Sequence, residues 1–552
     1  MKQRKYKFLL ITKEFCCFSV PDPSAKGVSG ILRVPVEPKP LRFLRIIAHQ
    51  NINSMKKFFL LMVGVLTMIN TNAQQRKITV DTAITTQNSV KINGKTIEYT
   101  AITGMQPVWD DTGNPVATLH YTYYKKKSGN NENYAKRPLM ISFNGGPGSA
   151  SAWMHIAYTG PKLLNIDDEG YPVMPYGIQD NPYSVLDETD ILYVNPVNTG
   201  YSRTIPESGK EVKRETFFGI NADIKYLADW LNTFINRENR WLSPKYLIGE
   251  SYGGTRVSGL AYELQAKQWM YLNGVILVSP ADYNVFESDP AISTAVRFPY
   301  FTAAAHYHNM LPPEKQNMKL EAVLAEAEEA ALNVVMPALA KGAGLPDEER
   351  AEIAALMSSL TGIKKENILR QNLNLSTSYF WKELRRETDG KTIGRLDSRY
   401  TGIDREETGD KPDYNAELKS WLHSFTPAIN YYMKNELNFV TDVKYNMFGD
   451  VHPWDRRNNN TREQLRKAMA ENPFLNVMCQ AGYYDGATTY FNSKYTLNQM
   501  DPSGKMKNRM RFHGYESGHM MYLRREDLKA ANDHIRRFIR ETALPEKSAK
   551  YD

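Results

Sequence analysis

One five-residue stretch restricts the folds open to this chain more than any other: Gly249-Glu250-Ser251-Tyr252-Gly253. A short strand-like run, Lys245-Tyr246-Leu247-Ile248, leads into it, and a helical pattern runs from Gly254 to Gln265 after it. G-x-S-x-G between a strand and a helix is the signature of a nucleophile elbow, a turn sharp enough to strain the backbone at the serine. Residues with a β-carbon do not fit two places before and after that serine, hence Gly249 and Gly253. Without those flanks the same pentad is an ordinary Gly/Ser turn. With them, the Ser251 hydroxyl is expected at the carboxyl edge of a sheet.

The rest of the chain supplies such a sheet. From about Ile78 to Tyr124 polar and apolar residues alternate between turn signals such as Asn93-Gly94, which predicts antiparallel strands. Short apolar runs follow, each ending in turn-forming residues. Leu139–Phe143 leads into Asn144-Gly145-Gly146-Pro147-Gly148, and Ile191–Val194 into Asn195-Pro196-Val197. Val275–Val278 leads into Ser279-Pro280, with a helical stretch such as Asn221–Arg237 between some of them. Buried strands alternating with helices predict an α/β fold with a mostly parallel central sheet. Ligands then bind beyond the carboxyl ends of the strands, where these polar turns collect. Composition shifts near Val285 to Ala, Leu, Glu and Lys, with a helix pair expected over Lys319–Ala340, and strand patterns return near Leu475. Residues 285–445 therefore read as a helical cap inserted between a first core part, 74–284, and a second, 446–552.

The amino-terminal region reads differently. Met55-Lys56-Lys57, the apolar run Phe58–Met68 and Thr71-Asn72-Ala73 form a basic, apolar and small-residue series. This is a secretory signal peptide pattern over 55–73, too short for a stable membrane anchor. Residues 1–54 carry no clear pattern and read as an upstream extension ahead of an initiator at Met55. Removal of residues 1–73 from the 552-residue chain leaves 479 (552 − 73). That length suits one enlarged α/β domain with an insertion. Residues 1–73 hold 12 Lys/Arg and 3 Asp/Glu, so they carry +9 of the total +8 and leave the mature part near −1. A nucleic acid or anionic membrane partner thus loses its electrostatic support. Of three cysteines, Cys16, Cys17 and Cys479, one lies in the mature part, inside the apolar run Leu475–Cys479, and is expected to be a buried structural thiol. Export points to the periplasm or the exterior. The oligomeric state is left open.

A serine hydroxyl is a weak nucleophile and needs a base oriented by a carboxylate. In the chain order Ser, acid, His that goes with the elbow, the candidates lie after Ser251. His519, in Gly518-His519-Met520, follows the strand-like Arg509–Phe512 and occupies the loop after the expected last strand. His513 competes but is placed at that strand's end. Asp485 follows the preceding strand, Phe474–Ala481, 34 residues before His519. Its other reading is a turn aspartate capping a helix. An oxyanion hole needs converging backbone N–H groups. Tyr252, after the nucleophile, and Gly146, in a glycine-rich turn that allows close approach, are the candidates. His306-Tyr307-His308 has unsuitable spacing and no carboxylate partner for a metal, so neither a metal nor another cofactor is expected.

The segments Asn144-Gly145-Gly146-Pro147-Gly148-Ser149, Pro196–Ser202, Gly249–Gly254 and Gly518-His519-Met520, with Asp485, resemble the serine carboxypeptidase family of α/β hydrolases, as a bacterial secreted member. The likeness spans about residues 139–525 in the family's order. It implies an α/β-hydrolase fold with a helical cap and an exopeptidase that removes carboxyl-terminal residues of peptides through an acyl-enzyme on Ser251. It also implies that Asn144 and Glu250 bind the substrate's terminal carboxylate. A protonated Glu can donate to a carboxylate, whereas an ionised one repels it. The sequence departs from the family in three places. A second glutamate expected two residues before Gly160-Pro161 is Tyr158, a cysteine after the Gly-Pro-Gly is Ser149, and a proline after the His-Met segment is missing at Met521-Tyr522. Close carboxyl pairs have one strongly raised pKa, so loss of the pair predicts activity reaching higher pH than is usual for the family. The same triad could serve an esterase or acyltransferase, and the fold could also carry a non-catalytic binding protein.

Overall fold

The computed structural model describes residues 79–127, 136–206, 212–281, 289–457, 460–544, 548 and 550. The upstream extension, the signal peptide pattern, Cys16, Cys17 and the composition change at Val285 lie outside the described residues. Residues 76–552 form one compact unit.

The long antiparallel strands expected near the amino end are β1 (Thr82–Ile92), β2 (Lys95–Trp109) and β3 (Pro115–Lys126). Ile92 pairs with Lys95 across Asn93 and Gly94, both at positive φ. That is the left-handed two-residue hairpin turn which Asn-Gly favours. Then come β4 (Leu139–Phe143), β5 (Asp190–Val194), β6 (Lys245–Glu250), β7 (Gly274–Val278), β8 (Asn476–Gly482) and β9 (Met510–Tyr515). The sheet order is β1-β2-β3-β5-β4-β6-β7-β8-β9, with the short strand Arg203–Thr204 beside β3. From β5 to β9 every neighbouring pair is parallel. β6, carrying the elbow, lies near the middle.

Why these runs are apolar at every position follows from burial on both faces. Met140, Tyr246, Ile248, Ile276 and Met478 point into one core, with Leu528, Ile535 and Phe538 of the last helix. Their neighbours in sequence, Leu139, Ile141, Leu247, Val275 and Val477, point into the other. That second core is closed by the helices Ile220–Arg237, with Leu227 and Leu231, and Tyr252–Gln268, with Val257 and Leu260. This is a largely parallel α/β sheet flanked by helices, with helical insertions, as the sequence predicts. Cys479 is fully buried and unpaired, and burial pushes its thiol up to about 12.

Between β7 and β8 the chain is mostly helical, including Pro290–Tyr307, Leu320–Ala330, Asp347–Thr361, Thr377–Glu383 and Ala416–Asn435. Phe298, Phe301, Val323, Leu324, Met357, Leu360 and Phe380 form a third core there, which also takes in Tyr484 and Phe491 from beyond β8. The expected helix pair over 319–340 is instead one continuous run. Leu320–Ala330 passes through a π turn, Ala331–Val335, into Met336–Lys341. Pro337 has no N–H for the regular helical bond at the start of that last segment, which favours a local change of hydrogen-bond register. Among the described residues no helix is long and apolar enough to cross a membrane.

Candidate active site

Ser251 sits between β6 and helix Tyr252–Gln268 at φ 57° and ψ −125°, a conformation that side chains rarely adopt. The surroundings hold it there. Its N–H donates to Val278 O at 2.9 Å, and its carbonyl accepts from Gly254 at 2.8 Å and Ala281 at 3.0 Å. A β-carbon at Gly249 would lie 2.1 Å from Gly253 O, and one at Gly253 would lie 2.8 Å from Phe143 O. Both flanking glycines are therefore steric requirements of the turn.

Asp485 and His519 arrive from the carboxyl ends of β8 and β9, which lie two and three strands outward from β6, beyond β7. His519 Nδ1 lies 2.6 Å from Asp485 Oδ2. Asp485 is fully buried, and its Oδ1 accepts the N–H groups of Ala487 at 2.8 Å and Thr488 at 3.0 Å. The Thr488 hydroxyl adds a third contact, 2.6 Å from Oδ2. The imidazole is fixed from its own backbone as well: His519 N–H donates to Leu396 O at 2.6 Å, and Ser279 Oγ donates to His519 O at 2.8 Å. Burial alone would lower the His519 pKa, but the Asp485 charge and hydrogen bond outweigh it and hold the imidazole above its ordinary value. Ser251 and His519 line the same cavity, about 400 Å³, at the carboxyl edge of the sheet. His513 lies elsewhere. It sits within β9 and not at its end, stacked on His534 with ring centroids 3.8 Å apart.

Gly145 and Gly146 line the cavity beside Ser251. A β-carbon on Gly145 would come within 2.6 Å of Tyr252 N and 2.9 Å of Ser251 Cβ. The turn after β4 thus touches the elbow directly, and Gly146 takes φ 104° within it. A buried ion pair that sequence reasoning missed holds the two together. Arg256 Nε donates to Asp223 Oδ2 at 2.7 Å, and its Nη1 and Nη2 donate to Asn144 O at 2.7 Å and Pro147 O at 3.3 Å. Tyr252 OH donates to the same Asp223 oxygen at 3.2 Å. The segment Pro196–Ser202 does not reach the cavity. Next to it, Asn195 Oδ1 accepts from Ser151 N–H at 2.9 Å, and Ser202 Oγ donates to Asn195 O at 2.7 Å, so this region braces the loop after Asn144–Gly148.

Glu250 is buried, and burial raises its carboxyl above the ordinary range despite His519, Tyr522 and Asn144, which favour its charged form. Tyr522 OH donates to Glu250 Oε2 in a short hydrogen bond. Asn144 Oδ1 accepts from Met154 N–H at 3.1 Å. Its buried Nδ2 stays outside bonding geometry with any protein acceptor, leaving a donor for an incoming group. Tyr158 makes no direct bond to Glu250. It donates to Gln480 Oε1 at 2.5 Å and stacks on Tyr522, centroids 4.6 Å apart and 10° from parallel. The two departures noted in the sequence, Tyr158 for a glutamate and Tyr522 for a proline, are thus one structural change. Among the described residues no group of His, Cys, Asp and Glu could hold a metal ion.

A strained serine elbow near the centre of a parallel sheet, with a buried carboxylate and a histidine after two later strands of the same sheet, defines the α/β-hydrolase class of serine hydrolases. Residues 98–531 match the family model described as serine carboxypeptidase. The chain belongs to that family. It is 29% identical over 174 residues to serine carboxypeptidase-like 36 of Arabidopsis thaliana, covering 30% of this chain and 32% of the relative. It is 26% identical over 220 residues to serine carboxypeptidase-like 8 of the same plant, covering 37% and 48%. With vitellogenic carboxypeptidase of Aedes aegypti it shares 28% identity over 153 residues, 28% of this chain and 29% of that one. The chain thus spans between 29% and 48% of the length of these three relatives. Among solved structures, a prohormone-processing carboxypeptidase from Saccharomyces cerevisiae aligns with TM-score 0.47 and 14% identity, covering 81% of this chain and 92% of that one.

Proposed function

We propose that this protein is an exported exopeptidase that removes carboxyl-terminal residues from peptides through an acyl-enzyme. The observation that carries the reading is the cavity itself. Glu250, beside the unpartnered amide of Asn144, lines the same cavity as Ser251 and His519. Ser251 Oγ attacks the carbonyl carbon of the last peptide bond, and His519 Nε2 takes its proton. Asp485 keeps the other ring nitrogen protonated and stabilises the imidazolium. The backbone N–H groups of Gly146 and Tyr252 hold the negative oxygen of the tetrahedral intermediate. Collapse breaks the C–N bond, and His519 returns the proton to the leaving amine. Water then attacks the ester, gives its proton to His519, and releases the shortened peptide with Ser251 reprotonated. Until the leaving residue departs, Asn144 and protonated Glu250 donate to its free carboxylate.

Here Glu250 has a tyrosine hydroxyl as its partner, where a second carboxyl would add a second negative charge once deprotonated. Activity reaching higher pH than is usual for the family follows from that difference. A pH–rate profile confined below about pH 5, close to the range of an unperturbed Glu near ~4.3, opposes it. Export and a bacterial origin rest on the Met55–Ala73 pattern and on a mature chain with a single, unpaired cysteine. The division into core 74–284, cap 285–445 and core 446–552 accompanies this reading.

Purified residues 74–552 and a Ser251→Ala control, given peptides with free or amidated carboxyl termini, test it by mass spectrometry. Stepwise loss from free termini alone, absent in the control, is the expected result. Ester turnover with no peptide cleavage moves the assignment to an esterase or acyltransferase. Failure of Ser251 to react with a fluorophosphonate moves it to a binding protein.

A further inference from the structure

The walls of the cavity differ in chemistry. One is aromatic and apolar: Trp153, Leu418, Trp421 and Phe448. It adjoins the carboxylate clamp, because Trp153 follows the glycine turn, bonds Ser149 Oγ at 2.7 Å, and precedes Met154, whose N–H holds Asn144. The other wall surrounds the loop after Asp485: Gly486, Thr488 and Asn492, with Arg297 and Arg395. Gly486 N–H donates to Arg395 O at 3.0 Å, and Thr489 Oγ1 donates to Val296 O at 3.2 Å. Arg395 is thereby tied by its own backbone, and Arg297 through its neighbour Val296, to the side of the cavity that holds Asp485 and His519.

Arg395 is exposed, and among the described residues its side chain makes no ion pair. Two acids of its surroundings, Asp397 and Glu417, are occupied or buried. Asp397 is engaged by Arg399 at 2.7 Å. Glu417 is fully buried, accepts Leu396 N–H at 2.8 Å, and has its carboxyl pushed up to about 7 by burial. Apart from Glu250, no carboxylate lines the cavity among the described residues. An unmatched guanidinium in a half-enclosed site favours a carboxylate, which it can meet with two parallel hydrogen bonds.

With the terminal carboxylate at Asn144 and Glu250 and the reacting carbonyl at Ser251, the last residue of the substrate lies along the aromatic wall. The chain then runs on toward the Asp485 side. We infer that Arg395, on the wall it shares with Arg297, selects an acidic side chain, Asp or Glu, on the residue that donates the acyl group, immediately before the cleaved bond. The inference rests on the exopeptidase reading for the direction of the substrate. It also narrows the substrate class to peptides with an acidic penultimate residue and a large apolar last one.

The test compares peptides that differ only as Glu, Gln or Lys at the penultimate position, with Phe last, and a second set with Glu as the last residue. It uses residues 74–552 with no further change and the variants Arg395→Gln, Arg395→Lys and Arg297→Gln, each first checked by its thermal unfolding temperature. N-acyl-Glu and N-acyl-Gln esters are run in parallel, since they report the acyl side whether or not peptides are cleaved. Expected is a kcat/KM ratio of Glu over Gln of about tenfold, the scale of one charged hydrogen-bonded contact. That ratio falls toward one in Arg395→Gln and is partly kept in Arg395→Lys. Equal rates for Glu and Gln in both peptides and esters overturn the inference, as does an undiminished ratio in Arg395→Gln. A preference for Glu as the last residue also overturns it, by placing the arginines on the leaving side. No cleavage of any peptide, with the Glu ester still preferred, instead defeats the exopeptidase reading and leaves the arginine site standing.

Discussion

Replacing Arg256 by Met removes a charge that is wholly enclosed. Both partners of the Arg256–Asp223 pair are fully buried, 2.7 Å apart. Two unit charges about 4 Å apart at an effective dielectric near 20 attract by about 4 kcal/mol. Breaking one side of such a pair costs about 3–5 kcal/mol, because the other charge is left buried and unpaired. Tyr226 and Tyr252 still donate to Asp223, at 3.1 and 3.2 Å, which places the expected loss near the lower end. Burial raises the Asp223 pKa, and Arg256 is the main influence lowering it. In the variant the folded pKa rises further, so the deficit is small below the unfolded pKa and grows as pH rises through the carboxylate range. Arg256 also holds the carbonyls of Asn144 and Pro147, so Gly146 loses its fixed position over Ser251. Loss of one oxyanion donor lowers kcat by about 10²–10³-fold. Urea unfolding at several pH values gives the stability, and peptide or ester turnover gives kcat. The double variant Asp223→Asn with Arg256→Met should regain part of the stability but little of the rate. A single variant within about 1 kcal/mol of the parent at neutral pH, compared with the usual point-mutant range, would refute the role assigned to this pair.

Other outcomes follow from the same geometry. Asp485→Asn should leave the fold intact and lower kcat by about 10⁴-fold, since His519 then takes the wrong tautomer; a loss under tenfold in steady-state turnover opposes the assignment. The raised His519 pKa means that kcat/KM falls as pH drops through it, for every substrate. The raised Glu250 pKa means that donation to a terminal carboxylate is lost as pH rises through it, so KM climbs for free peptides and stays level for esters. Matching alkaline limbs for both substrate types would defeat that reading. Tyr522→Phe removes a donor that favours ionised Glu250, so the climb in KM should move to higher pH, at a stability cost of about 1.5–3 kcal/mol for a bond to a charged group. A shift to lower pH contradicts it.

Much of the fold was legible along the chain because its signals are local. Asn93-Gly94 at a hairpin and Gly249 two places before Ser251 follow from contacts within a few residues, and strands buried on both faces show as unbroken apolar runs. The candidate site was legible to the extent that chain order limits which loops meet at one sheet edge. What stayed hidden depends on separation. Asp223 and Arg256 are 33 residues apart, on two stretches that read in the sequence simply as helical. Tyr158 and Tyr522 were visible as departures from a family pattern, but their stacking joins two short helical segments 364 residues apart (522 − 158). Pro337 marks the changed helix register only once the surrounding run is known to be continuous. The arginine wall is assembled from two separate parts of the helical insertion and could not be foreseen from helical periodicity.

The third core has a consequence for how such an enzyme could change over evolutionary time. Helices that shape the substrate cavity share their packing with Tyr484, the residue beside Asp485, and with Phe491 just after it. A repacking mutation that enlarges or tilts a wall therefore also shifts the loop that carries Asp485. Selectivity and turnover are mechanically coupled traits in this scaffold. Laboratory selection for a new substrate should accumulate paired changes, one in the insertion and one near residues 484–491, with the second restoring the rate that the first gives up.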